Sequence, residues 1–186
     1  MKNRVRLTRE DWAIAALRAI ARGGLKAVAV EPLAKHLGVT KGSFYWHFKN
    51  RDELLQAALL RWEFLGDEAI AVTTRSTSDP RKRLQMLFEA AFDPKNAHAL
   101  LHHLSTAKAS PIVGPVLQRV TTKRLQALTE MYIECGLDES TAKHRSLLAY
   151  ATYVGMFQIR ATAPDATPVK AHLLPFTEHI THTLIP

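Results

Sequence analysis

The sequence predicts an all-α protein of about nine helices, in which a small N-terminal helix-turn-helix domain precedes a larger helical domain. Three observations support this prediction. Apolar residues recur every three or four positions in each long segment, and no segment alternates as a β-strand does. Two short helical patterns near residue 38 are separated by only two residues. Most of the other predicted helices are separated by short stretches rich in Gly, Pro, Ser or Asp, which are typical of loops.

The first helix is predicted to begin after Thr8. Threonine is a favoured N-cap residue, and Asp11, three positions later, completes a capping box. Gly23 and Gly24 follow the last apolar residues at helical spacing. Because glycine readily adopts the left-handed conformation that ends helices, the first helix is predicted to end there.

A second and a third helix are separated by Gly38 and Val39 alone. Pro32 lies in the first turn of the second helix, where its missing N–H does no harm. Gly38 can end that helix, and Thr40 can cap the next one. So short a connection is typical of two helices that cross steeply, as in a helix-turn-helix motif.

A long helix follows from Asn50 towards Thr73, and the loop after it ends in an Asp79 cap and Pro80 at the first helical position. Further helices are predicted over residues 80–92, 95–109, 112–135, 138–163 and 168–184. The predicted organisation is residues 1–50 as the N-terminal domain, 51–73 as a connecting helix and 74–186 as the second domain.

The composition narrows the class of protein. Hydrophobic residues make up 47% and charged residues 23%, as in ordinary globular proteins, and the net charge is +8. Residues 1–63 hold 12 Lys and Arg against 6 Asp and Glu, an excess that a polyanion, a membrane surface or solubility could explain. A single cysteine, Cys135, excludes a disulfide within one chain. No apolar run is long enough to span a bilayer, so we expect a cytoplasmic protein.

The stretch KGSFYWHFKN, residues 41–50, crowds aromatic rings into consecutive positions. At about 100° per residue, Phe44 and Phe48 share one face of a helix, and Tyr45 and Trp46 lie on other faces. We expect the two phenylalanines to face the core. The outward face then carries Gly42, Ser43, Tyr45 and Trp46, with lysines at its margins. Such a face suits the major groove of DNA, because small residues, hydroxyl groups and rings can contact bases and lysines can bind phosphates.

Residues 5 to about 62, about a third of the chain, resemble the DNA-binding domain of the TetR family of transcriptional regulators. The resemblance rests on the run LAKHLGVTKGSFYWHFKNRDELL. It implies a homeodomain-like three-helix domain whose third helix contacts DNA, and Arg51 would contact a phosphate. With flanking small and basic residues, the predicted DNA-binding residues are Lys35, Thr40, Lys41, Gly42, Ser43, Tyr45, Trp46, His47, Lys49 and Arg51.

Two positions depart from the family pattern. Ala29 stands where a capping Ser or Thr often binds phosphate, and Glu31 stands where the tetracycline repressor has an Arg that contacts a base. Glu31 could equally be a partner of the helix dipole or accept a hydrogen bond from cytosine. The N-terminal arm, with Lys2, Arg4 and Arg6, is either a solvated charge cluster or a minor-groove contact.

The resemblance also implies a second domain with a small-molecule pocket and two C-terminal helices that pair across a twofold axis. The apolar segment 147–159 suits a helix buried by a second subunit. Pockets between helices are lined mostly by apolar and aromatic groups. The candidate ligand-binding residues are Phe64, Phe88, Phe92, His102, Tyr132, Tyr153 and Phe157.

The sequence therefore predicts a ligand-responsive transcriptional regulator, a repressor, that binds a palindromic operator as a homodimer and is released by a small molecule. One alternative is a DNA-binding dimer without an effector. Another is a metal-binding bundle that uses His98, His102 and His103, although no third ligand is evident beyond imidazoles four residues apart. We expect no cofactor and no enzymatic activity, because the chain shows no nucleophile, paired acid and base, or phosphate loop.

Overall fold

The computed structural model describes residues 7–92, 98–168 and 173–186. Within these ranges the chain forms nine α-helices and two short 3-10 turns, Leu25–Ala27 and Pro164–Ala166, and no strand. The all-α prediction is confirmed. The α-helices are α1 (Arg9–Gly23), α2 (Val30–His36), α3 (Lys41–Tyr45), α4 (Arg51–Ser76), α5 (Pro80–Phe92), α6 (His98–Thr106), α7 (Val113–Glu134), α8 (Glu139–Thr162) and α9 (Leu173–Leu184).

The start and end of α1 follow the predicted signals. The Thr8 hydroxyl accepts a hydrogen bond from the Asp11 amide at 3.2 Å, and the Asp11 carboxylate accepts one from the Thr8 amide at 2.7 Å. Both halves of the capping box are therefore present. Gly24, at φ 70°, ends the helix in a conformation that favours glycine.

The turn between α2 and α3 contains one confirmed feature and one correction. Gly38 has φ 69°, as predicted for a residue that ends a helix. Thr40 occupies the N-cap position of α3, but its side chain makes no capping hydrogen bond. The reason is that the Ser43 amide, which would donate to the hydroxyl, donates to the Thr40 carbonyl at 3.0 Å.

The boundaries of two later helices differ from the prediction. The helix predicted over residues 95–109 ends at Thr106, after which a tight turn begins with a hydrogen bond from the Ala107 amide to the Leu104 carbonyl. The last helix, predicted from residue 168, is described from Leu173. The segments 93–97 and 169–172, over which the predictions also extended, lie outside the described residues.

The chain divides into two compact units. The first unit comprises Met1–Leu65 and Ala99–Leu117, and the second comprises Gly66–His98 and Gln118–Pro186. This division reflects packing density, so the predicted functional boundaries at residues 50 and 73 stay predictions. No helix in the described part of the chain is long and apolar enough to cross a membrane.

Each unit has its own core. In the first unit the fully buried Trp12 ring meets Phe44 edge-on at 5.4 Å between centroids, and Phe44 stacks on Phe48 at 5.5 Å. In the second unit, apolar side chains of α5, α7, α8 and α9 form one cluster around Tyr132. The aromatic rings near α3 therefore pack in the core of the first unit, whereas the rings around Tyr132 pack in the core of the second unit.

Candidate nucleic-acid interface

The third helix turns its rings in two directions. The side chains of Phe44 and Phe48 are 0% and 2% exposed, whereas Tyr45 and Trp46 are 57% and 88% exposed. This arrangement confirms the predicted burial and exposure of the four rings. The helix is shorter than predicted, however, because α3 ends at Tyr45 and Phe48 lies in the segment that follows it. A nearly fully exposed tryptophan forgoes much of the free energy that burial of its ring would provide, which makes it a candidate contact residue.

The other predicted DNA-binding residues lie on α3, in the segments beside it, on α2 or at the start of α4. Ser43, His47 and Arg51 are half-buried, and the others are exposed. The small residue Gly42 lies on the exposed side of α3, where it permits close approach of another molecule. The exposed members of the set are Lys35, Thr40, Lys41, Gly42, Tyr45, Trp46 and Lys49.

Glu31 and Lys41 form an ion pair that joins α2 to α3. The Lys41 Nζ lies 2.7 Å from the Glu31 Oε1, and both side chains are exposed. The hydrogen bond from Lys41, together with its charge, lowers the pKa of the Glu31 carboxyl, and the reciprocal interaction raises the pKa of Lys41. Glu31 lies in the first turn of α2, where a helix dipole favours an acid. The pairing with Lys41 was not anticipated from the sequence.

Arg9 anchors the connection between α3 and α4 to the start of α1. Its guanidinium donates hydrogen bonds to the His47 carbonyl and to the Glu53 carboxylate, the latter at 2.8 Å, and lies over the Phe48 ring at 4.3 Å. The Glu53 carboxylate also accepts from the Lys49 amide at 2.7 Å. The Lys49 amide and then Arg9 lower the pKa of Glu53. Sequence reasoning missed Arg9, whose partners are 38 and 44 residues away.

Arg51 has a structural role besides the phosphate contact that the resemblance implies. Its Nε donates to the Val28 carbonyl at 2.7 Å, and its Nη2 donates to the Leu25 carbonyl at 2.5 Å. The guanidinium therefore binds the 3-10 turn that follows α1. The predicted phosphate contact stays a prediction.

Other predictions in the first unit concern histidines. The Nδ1 of His103 lies 3.4 Å from the position that a Cβ on Gly24 would occupy, so α6 abuts the turn after α1. The rings of His102 and His103 are 5.6 Å apart. Among the described residues no group of three His, Cys, Asp or Glu side chains could hold a metal ion, but the side chain of His98 lies outside that set.

Five of the seven candidate ligand-binding residues lie in the second unit: Phe88, Phe92, Tyr132, Tyr153 and Phe157. The Tyr153 ring meets the rings of Phe92 and Phe157 edge-on, with distances between ring centroids of 6.3 Å and 4.9 Å. Burial raises the pKa of the Tyr153 hydroxyl. The other two candidates, Phe64 and His102, belong to the first unit, and Phe64 is exposed.

Tyr132 is the most buried of these rings. Its side chain is 0% exposed, and its hydroxyl has no hydrogen-bond partner among the described residues. Burial raises the pKa of this hydroxyl well above its ordinary value of 10.0. A neutral buried hydroxyl without a partner is costly unless another molecule supplies an acceptor.

The helix α8 exposes aliphatic side chains. Leu147, Leu148 and Ile159 are exposed within one chain, and Leu174 at the start of α9 is exposed as well. Gly155 lies between them with open space beside its Cα. This group of residues is called the α8–α9 apolar face below.

The fold and the third helix together define an all-helical protein with an N-terminal helix-turn-helix motif, and comparison with known proteins agrees. Residues 14–58 match the model of bacterial regulatory proteins of the tetR family. Over these residues the chain is similar to the tetR family of bacterial regulatory proteins.

Among curated proteins, similarity is concentrated in the N-terminal part. The transcriptional repressor KstR2 of Mycobacterium tuberculosis is 36% identical over 86 residues, 45% of this chain and 39% of that protein. The transcriptional regulator TtgR of Pseudomonas putida is 34% identical over 110 residues, 55% of this chain and 52% of that protein. The chain thus spans about half or less of the length of these relatives.

Solved structures share the whole fold at low sequence identity. A TetR transcriptional regulator from Legionella pneumophila has a TM-score of 0.82 at 14% identity, covering 98% of this chain and 100% of that one. A TetR-family regulator from Agrobacterium tumefaciens has a TM-score of 0.79 at 18% identity, covering 96% and 97% of the two chains. At these identities the likeness concerns the fold alone.

Proposed function

We propose that the protein is a ligand-responsive transcriptional repressor that binds a palindromic operator in double-stranded DNA as a homodimer and is released by a small-molecule effector. The observation that carries this proposal is the orientation of α3, which exposes Tyr45 and Trp46 and buries Phe44 and Phe48. The relative KstR2, named as a transcriptional repressor, supports the regulatory part. The role is non-enzymatic, requires no cofactor and places the protein in the cytoplasm.

In the proposed complex α3 enters the major groove. Phe44 packs on Trp12, Phe48 stacks on Phe44, and Arg9 binds the segment that follows α3, so packed residues support the exposed rings. Tyr45 and Trp46 would contact base edges, thymine methyls and sugars, while lysines at the helix ends would bind phosphates. In this proposal the N-terminal domain, residues 1–50, binds DNA through the residues predicted from the sequence, together with Arg51 at the start of the connecting helix.

The proposal requires a dimer, because a single short helix contacts few base pairs. Two such helices spaced about 34 to 36 Å apart reach successive major grooves on one side of a duplex. The α8–α9 apolar face is the surface that a second copy of the chain would cover. Two small residues of α8, Ala151 and Gly155, would let two α8 helices approach closely.

The proposed effector site lies in the second unit, among the buried rings around Tyr132. An apolar molecule with one hydrogen-bond acceptor would complement a buried hydroxyl that lacks a partner. Release from DNA requires that the effector bind one arrangement of the dimer more tightly than the other. The competing proposal, a DNA-binding dimer without an effector, assigns the same rings to the core alone.

The test is selection of bound sequences from random duplex DNA with the purified protein at low ionic strength. We expect a twofold-symmetric consensus whose half-sites are about one helical turn apart or a multiple of it. A consensus without symmetry would contradict the dimeric mode. Failure to retain any duplex would contradict DNA binding itself.

Effector binding has a separate test. A panel of small apolar compounds with a single acceptor group is screened for those that raise the unfolding temperature of the protein and release the selected duplex. We expect the Tyr132→Phe variant to bind such a compound more weakly. Stabilisation by none of a broad panel would favour the regulator without an effector.

A further inference from the structure

Glu31 is an acidic residue on a surface that otherwise favours a polyanion. Residues 1–63 carry twice as many basic as acidic side chains. Among the acids of this region, Glu31 is the one whose carboxylate is bonded to the side chain of a predicted DNA-binding lysine of α3. A carboxylate beside a phosphate chain is repelled, so its presence opposes binding unless the DNA offers it a favourable contact.

The geometry places this carboxylate next to the recognition helix. Lys41 is the first residue of α3, and its ammonium lies 2.7 Å from the Glu31 carboxylate. Both side chains are exposed, so water screens the pair and the ammonium can exchange to another anion. While Lys41 is paired with Glu31, the carboxylate offsets its positive charge, so Lys41 offers its full charge to a DNA phosphate only after the pair opens. That exchange leaves the carboxylate uncompensated near the DNA.

The chemistry of the major groove decides where the exchange is favourable. A carboxylate accepts hydrogen bonds and cannot donate them. The groove edges of guanine and thymine present acceptors to it, and adenine presents its N6 amino group beside the N7 acceptor, which repels a carboxylate. Cytosine presents its exocyclic N4 amino group without an acceptor on the same base, and this group is the usual partner of Glu and Asp. Over most sequences Glu31 would therefore retain Lys41, and over a suitably placed cytosine it would release Lys41.

We propose that Glu31 is a specificity-determining residue: it withholds Lys41 from the phosphate backbone on unrelated sequences and releases it where a cytosine amino group takes its place. This proposal rests on the DNA-binding function proposed above. In this proposal the exposed ion pair between Glu31 and Lys41 lowers the affinity for DNA of unrelated sequence. Weakening the binding of wrong partners is a common way to gain specificity.

The experiment compares the wild type with Glu31→Gln on two duplexes, the selected operator and a scrambled duplex of the same length and composition. The loss of the carboxylate frees Lys41. On the scrambled duplex we expect the slope of log affinity against log salt to steepen by about 0.9 per half-site, equivalent to about eightfold tighter binding per half-site at 0.1 M salt. On the operator we expect no such gain, because Lys41 is already released in the wild type and the contact with cytosine is lost. The ratio of operator to scrambled affinity therefore falls.

Two controls separate the ion pair from net charge. Glu89→Gln removes an exposed acid of α5 in the second unit and should leave both affinities and their ratio unchanged. In a Lys41→Gln background, Glu31→Gln should tighten binding to the scrambled duplex by a clearly smaller factor, because no lysine is freed. Unfolding temperatures of all variants verify that the fold is retained.

The outcomes distinguish this proposal from the function on which it rests. An unchanged affinity ratio in Glu31→Gln, or an equal effect with and without Lys41, would overturn the role of Glu31 while leaving operator binding intact. A wild-type protein that selects no sequence would instead remove the proposed function, and the role of Glu31 with it.

Discussion

The helices α3 and α8 both expose large side chains with apolar surface, and they differ in what accompanies those side chains. On α3 the exposed groups are Tyr45 and Trp46, whose rings carry a polar atom, and lysines flank them. On α8 the exposed groups Leu147, Leu148 and Ile159 are purely aliphatic. Rings with polar edges and basic neighbours match a nucleic acid, whereas an aliphatic face matches another protein. A group of exposed apolar side chains is therefore a candidate contact surface, and the neighbouring chemistry indicates its partner.

The largest expected effect tests the buried side of α3. Phe44→Ala removes a fully buried ring that packs on Trp12 and Phe48, and it should lower the free energy of unfolding by about 3 to 5 kcal/mol. Denaturant titration of the variant and the wild type measures the difference. A loss below about 1 kcal/mol would mean that Phe44 does not anchor α3. The orientation of α3, on which the comparison with α8 depends, would then be wrong.

A second substitution tests the aliphatic face of α8. Leu148→Glu places a carboxylate where the proposed homodimer buries a leucine, and desolvation of that charge should weaken self-association by about 100-fold or more, about 2.7 kcal/mol. Analytical ultracentrifugation over a range of concentrations measures the dissociation constant. The matched control is Met86→Glu, which makes the same kind of change at an exposed apolar residue of α5 and should leave association unaltered. A Leu148→Glu protein that remains dimeric would place the interface elsewhere.

A third pair of substitutions tests the exposed rings of α3. Tyr45→Ala and Trp46→Ala should each weaken operator binding about tenfold or more, as for aromatic contact residues, and leave the unfolding temperature nearly unchanged. Fluorescence anisotropy with a labelled duplex and a thermal melt give the two quantities. The informative result is the loss of operator affinity compared with the loss of thermal stability. A parallel loss of both would mean that these rings belong to the core.

The smallest expected effect concerns pH and the support of α3. The Lys49 amide and Arg9 lower the pKa of Glu53 below its ordinary value of 4.5. A depressed carboxyl pKa contributes stability that is present above the unfolded-state pKa and is lost as pH falls through the folded-state pKa. The stability difference between wild type and Glu53→Gln should therefore be constant near neutral pH and shrink below about pH 4.5. A difference that persists well below the folded-state pKa would mean that the carboxylate charge is not what stabilises this connection.

The local features of the first unit could be predicted from the sequence, because their causes are local. The capping box of Thr8 and Asp11, the positive φ of Gly38 and the orientation of Phe44 each depend on residues within four positions. Helical periodicity predicts which rings of residues 44–48 are buried and which are exposed, although the helix itself ends at Tyr45. The predicted Thr40 cap failed for an equally local reason, since a backbone carbonyl competes for the same amide.

Side-chain pairs between distant residues could not be predicted in the same way. Lys41 meets Glu31 ten residues away, and Arg51 meets the Val28 carbonyl 23 residues away. Such pairs depend on how helices cross and on which rotamer a long side chain adopts, and neither follows from spacing. The same limit applies to the second unit, where periodicity indicates that Tyr132 is buried but not which helix its ring faces. As a result, the resemblance implied a phosphate contact for Arg51, and the sequence did not indicate that Arg51 also supports the turn after α1.

The first unit is assembled from two stretches of chain, and this arrangement limits how the protein can be dissected. The polypeptide passes from one unit to the other after Leu65, after His98 and after Leu117. A recombinant fragment that stops at Leu65 would keep the motif helices and yet lack α6, whose His103 abuts Gly24. Proteolysis at a single site would likewise leave the halves joined through the remaining crossings, so domain-swap experiments should exchange both stretches together.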